Sequence, residues 1–309
     1  MKINGHEIAI SDRDKVFFPK VELTKGDLID YYKDISEVIL PLIKGHPLSM
    51  QRFPDGLSGE GWYMKDTPDY FPDWIERVNF PKKEGGSFDA PLVDSKAGLV
   101  YLADQAVITF HSYLSRKDEL NRPDKMVYDL DPPEGTQDFD AVRFAAVKLK
   151  QALTELALKA WVQTTGSKGF HVVVPLDRGW GFDKVRDFAN DLSLLLVRRH
   201  PEKLTLEQRK KKRGNRIYMD TYRNSYGATS VMPYSVRARS EAPIATPLDW
   251  EEVESGADPR DWTIKNIFRR LGQKDDPWQG KMDSTQSLEE RQESLREMLD
   301  KEDPADEED

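Results

Sequence analysis

The stretch Trp161–Leu176, WVQTTGSKGFHVVVPL, sets two β-rich runs about a four-residue GSKG connection. Two such runs joined by a short glycine-containing link predict an antiparallel hairpin. Upstream, residues 139 to 160 (FDAVRFAAVKLKQALTELALKA) carry the clearest helical periodicity in the chain. Before that helix, Met126–Pro133, MVYDLDPP, ends an apolar run with two aspartates and two prolines. Downstream, a second long helix is predicted over about 182 to 199, followed by the basic run EQRKKKRGNR and a short strand, IYMDTY. The order strand, helix, hairpin, helix, strand predicts an α+β fold, with helices packed on a largely antiparallel sheet.

The N-terminal third alternates short pieces. TKGDLIDYYKDISEVILPLI places Leu28, Tyr31, Tyr32, Ile35, Val38 and Ile39 at helical spacing, with Thr24 as N-cap and Asp27 three residues on. HPLSMQRFPDG reads as a strand closed by a turn, and the prolines and glycines of GWYMKDTPDYFPDWIERVNF favour short strands and loops. GLVYLADQAVITFHSYLSR reads as strand at its start and at its end.

With 309 residues, 38% of them apolar, the chain can bury the core of one large domain or two modest ones. It has no cysteine, no run of about 18 apolar residues and no signal-peptide core in MKINGHEIAI, which points to a cytoplasmic protein without a membrane span or thiolate site. The formal charge of −9 resides in residues 283–309, with 12 acidic and 3 basic side chains; the remainder balances 43 basic against 43 acidic, so a polyanionic partner is not excluded. In that tail Leu288, Leu295 and Leu299 can share a helical face, whereas KEDPADEED reads as a solubilising end or, alternatively, a docking segment for a partner.

In a strand, residues i and i+2 share a face, so Asp129 and Asp131 point together while Met126, Tyr128 and Leu130 point away. Two adjacent carboxylates repel unless a cation or a proton intervenes, and a divalent metal resolves the repulsion. The plainer alternative is a strand end whose aspartates are solvated. Asp220, inside IYMDTY, is an odd choice for packing between aromatic neighbours and offers a third carboxylate from a nearby strand; an edge aspartate facing water is its alternative. Three hard oxygen ligands suit a two-metal site for phosphoryl transfer. In the hairpin, Gly166 and Gly169 free backbone N–H groups, Thr165 and Ser167 add hydroxyls and Lys168 adds a charge, a plausible triphosphate cradle although not a Walker A loop. His171 can donate to a phosphate oxygen, or be merely hydrogen-bonded. Arg237 and Arg239, two apart in SVRARS, offer guanidinium forks that suit phosphate. The basic run from Arg209 to Arg213 is a solvated loop or a DNA-backbone contact.

Four separated stretches, VFFPKVELTKGDLIDYYKDISEVILPLIKGHPLSMQRFPDG, MVYDLDPPEG, TTGSKGFHVVVPL and MDTYRNSYGATSVMPYSVRARSEAPIATPLDWEEV, occur in the order of one family. From about residue 10 to about 280 the chain resembles the polymerase domain of bacterial ligase D, a branch of the archaeo-eukaryotic primase superfamily. The resemblance implies an α+β primase-like fold of mostly antiparallel sheets, with an RRM-like catalytic half and flanking helices. It implies a primase-polymerase domain over 1–280, divided at about residue 110, and an acidic tail over 281–309. It also implies a template-dependent nucleotidyltransferase of non-homologous end joining that fills short gaps, favours ribonucleotides and uses two Mn²⁺ or Mg²⁺ ions with nucleoside triphosphates as substrate.

By that likeness Asp129, Asp131 and Asp220 are the catalytic metal ligands. Thr165, Ser167, Lys168, His171 and Arg237 hold the triphosphate, and Lys15 and Lys25 grip a downstream 5′-phosphate on DNA. Arg52, Trp62 and Tyr63 lie near the nucleotide and template base, where stacking is the physical role. The family usually writes Ser where Thr165 stands, which keeps the hydroxyl and adds a methyl. No Lys-x-Asp-Gly ligase motif and no His-rich phosphoesterase segment occur, so the expectation is a stand-alone module with a Ku-like protein and a separate ATP-dependent DNA ligase as partners and no membrane. Two other readings compete. A haloacid-dehalogenase-type phosphatase also uses Asp-x-Asp at a strand end, but needs a parallel sheet; a non-catalytic DNA-end aligning module needs no aspartate trio.

Overall fold

The computed structural model describes residues 1–133, 135–136, 138–280 and 284–302. Two short ribbons, β1 (Lys2–Ile3) with β2 (His6–Glu7) and β3 (Val16–Phe18) with β4 (Leu23–Thr24), lead into α1 (Lys25–Asp34). Thr24 and Asp27 form a reciprocal capping box at the start of α1. The helical stretch beyond is broken at Ile35, and α2 (Ser36–Ile43) continues it with Pro41 inside. β5 (Leu48–Arg52), β6 (Trp62–Met64), the hairpin β7 (Glu76–Pro81) with β8 (Ser87–Leu92), α3 (Lys96–Asp104) and β9 (Val107–Tyr113) complete the N-terminal half.

Residues 98–104 are a helix rather than the expected strand. Ser95 accepts from the Gly98 N–H as its N-cap, and Leu99, Val100, Leu102 and Ala103 are all buried against the α1 side of the core. The β-favouring residues there are outvoted by packing, as propensity alone is a weak determinant.

The C-terminal half holds β10 (Lys125–Asp131), α4 (Phe139–Glu155), β11 (Trp161–Thr164), β12 (Phe170–Pro175), α5 (Phe182–Arg199), β13 (Leu204–Thr205), α6 (Lys210–Arg213), β14 (Ile217–Asp220), β15 (Thr229–Val231), β16 (Pro247–Leu248), α7 (Trp250–Glu254), α8 (Ile267–Gln273) and α9 (Gln292–Lys301). Six of its strands form one sheet in the order β13-β14-β10-β12-β11-β16, antiparallel except for the β13–β14 pair. β15 crosses to the N-terminal half and completes a four-stranded sheet, β15-β9-β5-β6. The molecule is therefore α+β with largely antiparallel sheets and flanking helices.

α4 and α5 cover one face of the six-stranded sheet. Met126, Tyr128 and Leu130 of β10, with Phe170, Val172 and Val174 of β12, pack beneath them. Leu288 and Leu295 are buried in that same core, while Leu299 packs at its edge, and Arg199 ties Glu302 at 2.9 Å. The tail thus contributes packing over 284–302; residues 281–283 and 303–309 lie outside the described residues. No described helix is long and apolar enough to cross a membrane.

Candidate active site

The alternation that sends Tyr128 and Leu130 into the core sends Asp129 and Asp131 to the opposite face. In the antiparallel register Asp129 stands directly opposite Asp220 on β14 and opposite His171 on β12, and His171 stands opposite Gln163 on β11. Directly opposed residues share a face, so Asp220, Asp129, His171 and Gln163 make one polar row across four strands. Asp131, two residues on, lies beside that row opposite Tyr218.

Asp129 and His171 of this row, with Asp131, form the floor of a cavity of about 200 Å³, whose other wall is the four-stranded sheet, with Tyr63 of β6, His111 of β9 and Val231 of β15; Asp220 and Gln163 stand beside it without lining it. Asp129 Oδ2 accepts from both Nε and Nη2 of Arg223, each at 3.0 Å. Burial alone would raise the Asp129 pKa; His171 and Arg223 outweigh it and hold the carboxyl well below the usual range. Asp131 sits at the mouth, where crowding by protein atoms and then the Asp129 charge push it up to about 6. Asp220 is raised too, first by desolvation and also by Asp129, although its Oδ1 accepts from the Tyr222 N–H at 2.8 Å. His171 Nδ1 lies 3.1 Å from Ser230 Oγ. Burial, with the charges of Arg237 and Arg223, holds His111 well below its ordinary pKa and so neutral.

The GSKG connection needs its glycines. Gly166 adopts φ +62°, and a Cβ at Gly169 would lie 1.9 Å from the Leu130 carbonyl oxygen. Thr165 closes the turn on itself: its N–H donates to Gly169 O at 2.9 Å and its Oγ1 accepts from the Gly169 N–H at 3.2 Å. Arg237 Nη1 donates to the Thr165 carbonyl at 2.7 Å and, among the described residues, the guanidinium pairs with no carboxylate. Ser167 and Arg239 line the aspartate cavity and also a second, adjoining one of about 440 Å³, where Lys168 projects. Asp129 and Asp131, with Asp220 on the next strand opposite Asp129, therefore lie beside a cluster of hydroxyls and cations, an arrangement suited to a polyphosphate and the cations that accompany it.

The model of the family described as LigD, primase-polymerase domain, matches residues 24–278. The chain belongs to the LigD primase-polymerase domain family. It is accordingly a nucleotidyltransferase of the polymerase type. It is 32% identical over 273 residues to the multifunctional non-homologous end joining protein LigD of Pseudomonas aeruginosa, covering 88% of this chain and 32% of that protein. It is 29% identical over 266 residues to the bifunctional non-homologous end joining protein LigD of Bacillus subtilis, covering 86% of this chain and 42% of that one. The chain thus spans well under half the length of these curated relatives. Among solved structures it is similar to the polymerase domain of Mycobacterium tuberculosis ligase D in complex with DNA, with a TM-score of 0.83 and 26% identity, over 91% of this chain and 99% of that one.

Family membership implies metal-dependent catalysis, and the residues fit a hard divalent cation. Asp129 Oδ1 is buried without a hydrogen bond, since His171 Nε2, 3.3 Å away, does not meet it in bonding geometry. The pKa values of Asp131 and Asp220 are raised by desolvation and by the Asp129 charge, both of which a bound cation would relieve. Among the described residues, no three His, Cys, Asp or Glu side chains are already gathered into a chelate; Arg223 takes up the other Asp129 oxygen.

The remaining residues of the primase-polymerase pattern fall into separate groups. Tyr63 reaches the cavity, its ring 5.5 Å from that of His111, whereas Trp62, the next residue of the strand, faces the other way. Trp62 sits beneath the Arg52 guanidinium, 5.8 Å from its centroid, and Arg52 donates to Gln105 O at 2.8 Å and to Tyr70 Oη at 2.7 Å. Lys15 and Lys25 meet at the start of α1, where the Lys25 N–H donates to Lys15 O. The Lys15 ammonium pairs with exposed Asp55 at 2.6 Å; Lys25 is buried, 2.7 Å from Asp104 and 2.9 Å from Ser11 Oγ. Sequence reasoning missed His111 and Arg223. His111 carries a signal, a histidine inside the apolar strand VITFHSY; Arg223 lies on a single 3₁₀ turn, where no periodicity marks a face.

Proposed function

We propose that this domain adds nucleotides to a primer 3′-OH opposite a template strand, at short gaps or broken DNA ends, in non-homologous end joining. The observation that carries the reading is that Asp129 and Asp131 share one cavity with Thr165 and Ser167 of the GSKG turn and with Arg237, while Asp220 stands directly opposite Asp129 on β14. Asp129, Asp131 and Asp220 would hold two Mn²⁺ or Mg²⁺ ions, which when bound supply Lewis-acid activation of the 3′-OH and neutralise charge on the departing pyrophosphate. Thr165 and Ser167 present hydroxyls and turn N–H groups to the triphosphate, Lys168 and Arg237 supply its counter-charge, and His171 donates to a phosphate oxygen. Tyr63 offers a face for base stacking, and Trp62 with Arg52 flanks the path of the template.

Lys25, at the first turn of α1, and Lys15, whose carbonyl accepts from the Lys25 N–H, would bind the 5′-phosphate downstream of a gap. Occupancy then requires each ammonium to share its carboxylate partner, Asp55 or Asp104, with the phosphate. The reading includes a preference for ribonucleotides, action in the cytoplasm on nucleoid DNA, and cooperation with a Ku-like protein and an ATP-dependent DNA ligase. A haloacid-dehalogenase-type phosphatase is disfavoured because β10 is antiparallel to both its neighbours.

Primer extension on a gapped duplex, with Mn²⁺ and labelled ribonucleoside triphosphates, tests the proposal. Templated single-nucleotide addition supports it. DNA binding without any addition would support an end-aligning module instead.

A further inference from the structure

Arg237 is partly buried, lines the cavity with Asp129 and Asp131 and, among the described residues, is oriented by the Thr165 carbonyl and by no carboxylate, so its direction depends on the backbone that carries it. That backbone is irregular. Val236 makes one isolated bridge to Ile244, and Tyr234 adopts φ +61°, a conformation that a bulky residue keeps only when its surroundings enforce it.

The enforcement comes from two side chains of α1 and from the backbone and Thr109 of β9. Tyr31 Oη donates to the Tyr234 carbonyl at 2.6 Å. Tyr32 Oη donates to the Ile108 carbonyl at 2.7 Å and accepts from the Val236 N–H at 2.9 Å. The Phe110 N–H donates to Ser235 Oγ at 2.8 Å, and the Ala238 N–H to Thr109 Oγ1 at 3.2 Å. Both phenols are buried, and burial raises their pKa values far above any working pH, so they act as neutral donors throughout. A phenylalanine at either position would fill the same volume; the two hydroxyls serve the backbone of β9 and of residues 234–236, with Tyr32 Oη also 3.5 Å from Ser235 Oγ.

We infer that Tyr31 and Tyr32 are positioning residues for nucleotide binding: they clamp the backbone leading into Arg237 so that its guanidinium meets both the Thr165 carbonyl and the polyphosphate in the cavity. The inference rests on the polymerase reading. It assigns a role in the reaction to two core tyrosines that touch neither substrate nor metal.

The test compares the full wild-type chain with Tyr32→Phe, Tyr31→Phe and a matched control, Tyr113→Phe, whose buried hydroxyl has no partner. Steady-state addition of one ribonucleotide to a gapped duplex gives kcat and KM, and inorganic tripolyphosphate serves as competitive inhibitor. The expected result is a rise in nucleotide KM of about 5- to 20-fold, a parallel rise in the tripolyphosphate Ki, and kcat within about two-fold of wild type. Tyr113→Phe and the DNA dissociation constant stay unchanged. An unaltered KM, a KM that rises without the Ki, or a loss of kcat alone overturns the inference. Should Tyr32→Phe fail to fold, Tyr31→Phe carries the same test through the Tyr234 carbonyl. A wild-type chain that adds no nucleotide refutes the polymerase reading itself, a separate outcome from an active chain insensitive to both substitutions.

Discussion

Asp129→Asn separates catalysis from scaffolding at the residue where the two meet. Asp129 Oδ2 takes two bonds from Arg223, whose side chain remains 40% exposed. The amide oxygen still accepts from the guanidinium, so the loss is that of the ion pair reduced to a bond with one charged partner, about 1 kcal/mol after solvent screening. Relief of the repulsion with Asp131 offsets part of that. A domain of this size loses about 2–4 °C in Tm per kcal/mol, so the variant stays folded at 25 °C. The charge removed, however, is the carboxylate proposed as the shared ligand of both cations, and its loss is expected to slow nucleotide addition by about a thousand-fold or more, roughly 4 kcal/mol of barrier. Differential scanning fluorimetry, DNA binding by anisotropy and single-turnover extension measure the three quantities. Addition within ten-fold of wild type, or DNA binding lost in step with activity, would refute the reasoning.

Other consequences are equally open to measurement. Lys25→Ala weakens binding to gapped DNA by about ten-fold only when the downstream strand carries a 5′-phosphate; equal losses with and without that phosphate contradict its assignment. Leu295→Ala, at a position 1% exposed in the catalytic-half core, costs about 2–4 kcal/mol and lowers Tm without changing nucleotide KM, as thermal melts and kinetics will show. Acid sensitivity follows from two depressed carboxyls. Against burial, His46, Lys125 and Arg116 draw Asp124 well below its usual range, and Arg270 with the Asp249 N–H pulls Glu252 down to about 2. Because their folded values lie below the unfolded ones, about 3.9 and 4.3, their stabilisation is whole above about pH 5 and is lost as pH falls toward 2. Arg116→Ala, by releasing Asp124, shifts the acid-unfolding midpoint upward in circular dichroism; an unmoved midpoint contradicts the linkage.

The readable parts of this sequence are those where period and chemistry coincide. β10 alternates apolar and acidic residues, so its two faces could be assigned before any register was known, and the Thr24–Asp27 cap announced α1. The hairpin followed from glycines that the close approach of the Leu130 carbonyl makes necessary. What stayed hidden depends on contacts between distant segments. Residues 98–104 are β-favouring by composition and helical by packing. Arg223 acquires its meaning only through Asp129, 94 residues away in the chain. The family likeness put both Trp62 and Tyr63 near the nucleotide and template base, and strand alternation, which no likeness reports, gives them opposite faces. The leucines of the tail show a helical stripe whose burial against the α5 side of the core no local pattern could reveal.

The central claim is that carboxylates from β10 and β14 chelate divalent cations beside a bound triphosphate. Anomalous diffraction from crystals grown with Mn²⁺, gapped DNA and a non-hydrolysable ribonucleoside triphosphate reads it directly. Manganese density is expected at the carboxylates of Asp129, Asp131 and Asp220, beside the triphosphate. Nucleotide bound in the cavity with manganese elsewhere, or with Asp220 contributing no oxygen, would contradict it.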